Sequence, residues 1–525
     1  MSLVAIPDTR TDITSESEQI HTIHTGGQRL TVDVIDADSA QLSPAAPISA
    51  SFKIFPPSNM TIVDRFVKIK YYVQVVSDNG VPFVLGLWDC PRQAPATSLC
   101  RILNVKINGE NISRNVSDLL HAELCYANNA ESRSGSMSTS AMYPDQYQRL
   151  GDFYTDGFAR NPAGKYGENS VEQTRGSLRP VESFDGGARL QYEVVEWLPI
   201  SPFLDGSREG TGMINVNELY IDLNFDSLNE RFMTCATRQG VPAPAQIDGV
   251  SVSFYRNPQI IMTYITPSNY QKLPSVQVFP YVKPREYPKT MAVLGINGTR
   301  TERTDAIRLS QIPRGVMLYA KRTKQTSLVN KPDSFLAITG IRVNFNNETG
   351  LLAGATQQNL FDMSVKNGCN LNWVQWSEKR GSVLFLDMGR DICLSSGLSA
   401  GTAGSFTLQV DVDFKNTSGE NWEGDFYMIL YDVGSIAISQ NSCRSSLGNL
   451  SPSMVMSAEL GGDRALESEH RSVVKVGSGL LSSLGTMLPS KHLRKHSAGG
   501  GGGGAEMKQE EDAPRKIGGS LLKRR

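Results

Sequence analysis

Alternation of apolar and polar residues is the strongest signal along this chain. In IVDRFVKIKYYVQVV, Val67, Ile69, Tyr71, Val73 and Val75 alternate with Lys68, Lys70, Tyr72 and Gln74. A period of two buries one face of a strand and wets the other. Similar strands are predicted at Leu103-Val105-Ile107, Tyr192 to Trp197, Leu219-Ile221-Leu223-Phe225 and Val250-Val252-Phe254, the last followed by the apolar run IIMTYI. A second series holds Val316 to Tyr319, Ile341-Val343-Phe345, Val383 to Leu386, Phe406-Leu408-Val410-Val412-Phe414 and Phe426 to Tyr431. Clusters of Gly, Pro, Asn and Asp separate most of them, as antiparallel turns require. Helical spacing is scarce. HAELCYAN (121–128) and QNLFDMSVKNG (358–368) are the best short candidates, the second with Leu360, Phe361 and Val365 on one face and Asn367-Gly368 as its stop.

The two series share an order of elements. ARLQYEVVEWLPISPFLDGSREGTGMINVNELYIDLNFD runs strand, gap, Gly-Thr loop, alternating strand, and GSVLFLDMGRDICLSSGLSAGTAGSFTLQVDVDFKN repeats it. The pattern predicts an all-β fold of two similar β-sandwiches in tandem, over 49–268 and 269–458, joined near ITPSNYQKLPSVQVFPYVKP (265–284). Residues 1–48 are polar and read as an extended arm outside the core. Residues 128–187 lack periodicity, which suits a long excursion at one end of a sandwich.

Composition supports this picture and adds one feature. The 525 residues include 47 Gly and 26 Pro with a fifth charged, which disfavours helical bundles. Net charge is −1, yet residues 471–525 hold eleven Lys/Arg against four acids, a balance of +7 that leaves −8 for the rest. Any attraction to nucleic acid or anionic lipid is therefore expected to be concentrated at the C-terminus. There RSVVKVGSGLLSSLGTMLP places Val473, Val476, Leu480, Leu484 and Met487 at helical spacing, interrupted by glycines. It suits either a segment that docks on a partner or a membrane surface, or a weakly ordered linker. KHLRKH, six consecutive glycines (499–504) and KIGGSLLKRR complete a basic, glycine-hinged tail from residue 459.

Seven scattered cysteines, never spaced C-x-x-C, read as reduced thiols. The N-terminus lacks a signal-peptide pattern, no apolar run is long enough to span a membrane, and the seven N-x-S/T sequons read as products of composition. His21-x-x-His24 offers two metal ligands without a third, on opposite faces of a strand. Asp387 and Asp391 beside Arg390 suit a turn with a local ion pair better than a glycosidase carboxylate pair. SAGTAG (399–404) lacks the lysine and following helix of a phosphate loop and reads as a hairpin turn. No catalytic, cofactor-binding or metal site is expected, and no enzymatic activity.

FLAITGIRVNFNNETGLLAGATQQNLFDMSVKNGCNLNWVQWS (335–377), with the following GSVLFLDMGRDICLSSGLSAGTAGSFTLQVDVDFKN and SPSMVMSAEL, resembles the second jelly roll of major capsid proteins from polinton-like viruses, virophages and related double-stranded DNA viruses. The first half resembles the same family through FPPSNMTIVDRFVKIKYYVQVV, VKINGENISRNVSDLLHAELCYAN and EVVEWLPISPFLDGSREGTGMINVNELYIDLNF, so the resemblance covers roughly residues 50–458. It implies a double jelly roll, three copies of which form a pseudo-hexagonal capsomer of an icosahedral virion shell. The implied partners are other copies of the chain and minor capsid and penton proteins. The basic tail lies outside the resemblance, and on its charge alone it is expected to face the interior, in contact with genome, membrane or minor proteins. Gly518-Gly519-Ser520 is similar to double-glycine sites cut by viral maturation proteases, but departs from them at Lys516. Two other readings compete: a minor capsid or spike protein, and a carbohydrate-binding or carbohydrate-active β-sandwich that would use exposed Trp373, Trp376 and Trp422.

Overall fold

The computed structural model describes residues 9–14, 20–25, 29–40, 49–57, 61–85, 89–127, 139–141, 178–203, 212–225, 231–235, 238, 245–266, 274–323, 327–331, 333–440 and 442–461. In the first half the principal strands are β1 (Arg29–Asp36), β2 (Ser49–Ile54), β3 (Lys68–Ser77), β4 (Cys100–Ile107), β5 (Glu110–Asn115), β6 (Arg189–Trp197), β7 (Leu219–Phe225), β8 (Val250–Phe254) and β9 (Gln259–Thr266). One antiparallel sheet runs β5-β4-β7-β2. The other runs β6-β3-β9-β1, with β8 sharing the β3 edge beside β9. Ile69, Tyr71, Val73 and Val75 of β3 meet Leu103, Val105 and Ile107 of β4 and Ile221 and Leu223 of β7 in one dry core, as alternation predicts. Each such side chain contributes roughly 1.5–3 kcal/mol by leaving water.

In the second half the strands are β10 (Val276–Thr290), β11 (Thr299–Arg303), β12 (Ile307–Gln311), β13 (Gly315–Arg322), β14 (Ala337–Phe345), β15 (Glu348–Leu351), β16 (Leu384–Asp387), β17 (Ala403–Lys415), β18 (Gly424–Ser439) and β19 (Ser442–Leu447). They form a sheet β10-β18-β13-β16, with β19 also on β18, and a sheet β11-β17-β14-β15, with β12 also on β17. The helices are α1 (Leu120–Ala127), α2 (Gln357–Lys366) and α3 (Pro452–Gly461). Thr356 caps α2, its side chain accepting from the Asn359 N–H, and Gly368 at φ +102° follows its end.

The halves repeat the same order of elements. Each has a hairpin (β4-β5, β14-β15), then a helix (α1, α2), then a strand (β6, β16), then a central strand of the opposite sheet (β7, β17). Both hairpins close on two residues, Asn108-Gly109 and Asn346-Asn347, with Asn108 at φ 44° and Asn346 at φ 51°. Asparagine tolerates this left-handed region, which tight hairpins need.

Three expectations change. The arm over 1–48 is extended where described, but Arg29–Asp36 is β1, paired with β9 from Arg29↔Thr266 to Asp36↔Gln259. Its valines, Val32 and Val34, stay exposed, so its apolar content is too modest to announce a core strand. The join expected over 265–284 is largely strand, because β10 begins at Val276 and pairs along nearly the whole of β18. Pro280, Pro284 and Pro288 share one parity, so the N–H groups they lack would all point away from β18, and an edge strand tolerates this. SAGTAG is a turn but not a hairpin, since β16 before it and β17 after it lie in different sheets. The 128–187 excursion lies largely, and the tail beyond residue 461 wholly, outside the described residues, as does the Gly210-Thr211 loop.

Candidate functional site

The two cores are not separated by chain order. Leu119, Ala122, Cys125 and Tyr126, at and within α1, pack into the second core, while Phe279 and Tyr281 of β10, Ile436 and Ile438 of β18 and Cys443 of β19 pack into the first. This exchange builds a buried junction between the sandwiches. Strand β13 shows its position most clearly: every residue of GVMLYAKR is buried, polar ones included. Tyr319 OH donates to Asp118 O at 2.8 Å and Lys321 Nζ to Ser117 O at 2.7 Å, so alternate residues of β13 meet the segment leading into α1.

Around them lies a cluster of buried charge. His121 Nδ1 lies against the Asp333 carboxylate, while its Nε2 lies 2.9 Å from Gln93 O. Arg380 Nη1 donates to Asp333 O at 2.6 Å. Burial opposes the Asp333 carboxylate, yet the positive charges of His121, Lys321 and Arg380 outweigh it and hold its pKa well below the usual range. Burial in turn lowers His121 and Lys321 against the pull of Asp333. Arg380 is fixed by the chain reversal after it. Gly381 sits at φ +89°, and a Cβ there would lie 2.0 Å from Phe335 O, so only glycine allows the Phe335 N–H to reach Arg380 O at 2.7 Å. Arg92 extends the contact, donating from Nη2 to Leu328 O and Lys331 O, each at 2.9 Å.

A second polar group borders the same junction. Arg114 pairs with Glu123 of α1 and donates to Pro199 O at 2.7 Å, and Tyr431 OH of β18 donates to Glu123 Oε1 at 2.9 Å. Asn115 Nδ2 donates to Glu286 Oε2 at 2.9 Å. Burial, then the Asp118 charge, push the Glu286 carboxyl up to about 7. The β4-β5 hairpin docks as well: Asn108 Nδ2 donates to Ser439 O at 3.3 Å and Glu110 Oε1 accepts from Ser445 N–H at 3.1 Å. Polar groups buried this way fix one geometry, because any slip leaves charges without partners.

The residues singled out by sequence fall elsewhere. Asp387 Oδ1 accepts from the Gly389 and Arg390 N–H groups at 3.0 Å and Asp391 Oδ2 from the Asp387 N–H at 2.8 Å, the expected turn. Arg390 lies 4.0 Å from Asp387. Trp376 and Trp422 are fully buried and Trp373 is half-buried, stacked on Trp376 at 6.4 Å. Trp376 and Trp422 fill the second core and Trp373 packs at its edge, so the three do not form an exposed sugar platform. His21 and His24 lie in the strand Ile20–Thr25, their side chains outside the described residues. The junction charges were missed. Two signals pointed to them: His121 is the one histidine between the arm and the tail, and the run GVMLYAKR ends in Lys-Arg without alternating.

Comparison with known proteins places this architecture. Residues 1–186 match the family described as Sputnik virophage major capsid protein 1st domain, and 287–380 with 377–434 match Major capsid protein V20 C-terminal domain. The chain is 25% identical over 500 residues to the putative capsid protein V20 of Sputnik virophage, covering 88% of this chain and 82% of that protein. A subunit in the cryo-EM structure of the Sputnik virophage superposes with a TM-score of 0.73 at 25% identity, over 88% of this chain and 98% of that one. The mavirus major capsid protein shares the fold, with a TM-score of 0.65 at 13% identity over 81% and 92% of the two chains.

Proposed function

Because the chain is a double jelly-roll major capsid protein of the virophage type, a structural component of the virion and not an enzyme, we propose that three copies associate as a pseudo-hexagonal capsomer. These capsomers tile an icosahedral shell around a double-stranded DNA genome, with minor capsid and penton proteins completing it. The observation that carries this reading is the buried junction, which joins two similar sandwiches into one building block, the first taken over 49–268 with β1 (Arg29–Asp36) added to its sheet and the second over 269–458. Three such blocks about a three-fold axis offer six similar sandwiches to their neighbours, and closed symmetry satisfies every copy alike.

Exposed apolar residues on edge strands support self-association. Val32 and Val34 on β1 and Val276 and Val278 on β10 are each more than two-fifths exposed, on strands paired along one side only among the described residues. An isolated subunit would carry such edges as aggregation sites, whereas a second copy of the chain covers them. The basic tail, +7 over residues 471–525, is assigned to the shell interior, where anionic genome, lipid or minor proteins would meet it.

Size-exclusion chromatography with light scattering on the full chain tests the proposal. The expected mass is three times that of the chain, and replacing Val32 and Val34 together by lysine shifts the population toward monomer. A monomer at every concentration and assembly condition tried would overturn it.

A further inference from the structure

A cavity of about 100 Å³ lies within the junction, walled by Leu124, Trp197, Ile200 and Phe203 of the first half and Met317 and Phe385 of the second. Its volume is somewhat below the roughly 150 Å³ of an apolar protein cavity that accepts benzene, so a short alkyl chain is of the right size. The two arginines at its border each leave a buried Nε without a hydrogen-bond partner, but they differ in how their charge is matched. The Arg114 charge is already matched by Glu123, which also accepts from Tyr431 OH. Arg314, just before β13, is not matched in this way. Its Nε and Nη1 are buried and have no hydrogen-bond partner, although Asp387 and Arg390 are near enough for their charges to act on it.

A guanidinium presents its N–H groups as a planar fork that suits a carboxylate, and buried donors left without acceptors are costly. An apolar chamber beside a half-buried guanidinium with two unpartnered buried donors is complementary to an amphipathic anion. We propose that the cavity binds a short-chain aliphatic carboxylate, its head on Arg314 and its chain among the apolar walls. Because those walls come from both sandwiches, the bound acid would bridge them and stabilise the folded subunit by mass action. The inference concerns one copy of the chain and does not depend on how copies assemble.

Hexanoate and hexanol, titrated into the full-length protein by calorimetry, separate a charge-directed site from a merely greasy one. Hexanoate is expected to bind about tenfold or more tightly than hexanol, the difference a charge-assisted hydrogen bond makes. Arg314→Met should remove that preference, and Arg314→Lys should keep part of it. ω-Bromohexanoate should quench the fluorescence of Trp197, a signal that vanishes in Trp197→Phe. Equal binding of acid and alcohol to the unaltered chain would overturn the proposal, and so would quenching that Trp197→Phe leaves unchanged. Both of those measurements remain decisive if Arg314→Met does not fold.

Discussion

The sandwich cores and the junction between them are equally buried but differently built. In the first core, Ile69, Tyr71, Val73 and Val75 meet other apolar residues, and losing a methyl group there removes contacts without stranding any charge. At the junction, His121, Asp333, Lys321 and Arg380 are buried together, and each needs the others. The cores follow from apolar area. The junction depends on complementary charge, which adds little net stability when complete but makes any wrong arrangement expensive. Under the proposed assembly, which needs two sandwiches held in one arrangement, specificity of this kind matters more than additional hydrophobic burial.

The comparison is broken most directly by removing one member of the charge cluster. Asp333→Ala is expected to cost about 3–5 kcal/mol of stability, because Lys321 and Arg380 lose their buried counter-charge and His121 its carboxylate partner. Shifts of the urea midpoint at unchanged slope would measure it. Removing Lys321 as well, as Asp333→Ala with Lys321→Met, should recover part of that loss. Strict additivity of the two changes would show that the charges act independently.

A smaller loss, roughly 1.5–3 kcal/mol, is expected for Tyr431→Phe, which leaves Glu123 without its hydroxyl donor across the junction. Ile221→Val supplies the core reference at about 0.5–1.5 kcal/mol. Should this core change cost more than Asp333→Ala under the same conditions, the contrast drawn between the two regions is wrong.

A separate effect is one of pH. Glu286 titrates near 7 in the folded chain against about 4.5 unfolded, so the folded state holds the extra proton between those values. Its contribution to stability is fully present below pH 4.5 and is lost as pH rises through 7. Glu286→Gln, which mimics the protonated form, should flatten that part of the pH profile measured by thermal melting from pH 5 to pH 8. An unchanged slope would show that Glu286 is not the group responsible.

The two regions also differ in how far they could be read from sequence. Period-two alternation marked β3, β4, β7, β14 and β17 because each buries one face. The short helices at α1 and α2 were visible for a similar reason, with Asn367-Gly368 marking the end of the latter. Strand β10 was hidden by Pro280, Pro284 and Pro288, which signal a linker unless the strand is known to lie at an edge. The junction was hidden more deeply. His121 and Asp333 are 212 positions apart (333 − 121), and nothing local in either segment announces the other. Family resemblance carried the functional reading because assembly surfaces, unlike catalytic motifs, have no fixed residue spacing. The competing carbohydrate reading needed exposed tryptophans, and composition does not reveal burial: Trp376 donates its indole N–H to Val383 O at 3.1 Å inside the core.

Negative-stain electron microscopy of the purified full-length chain tests the central claim most directly. A locked pair of sandwiches in each of three copies predicts particles of hexagonal outline with three-fold symmetry, whereas single subunits, or particles whose two lobes vary in relative orientation, would contradict it.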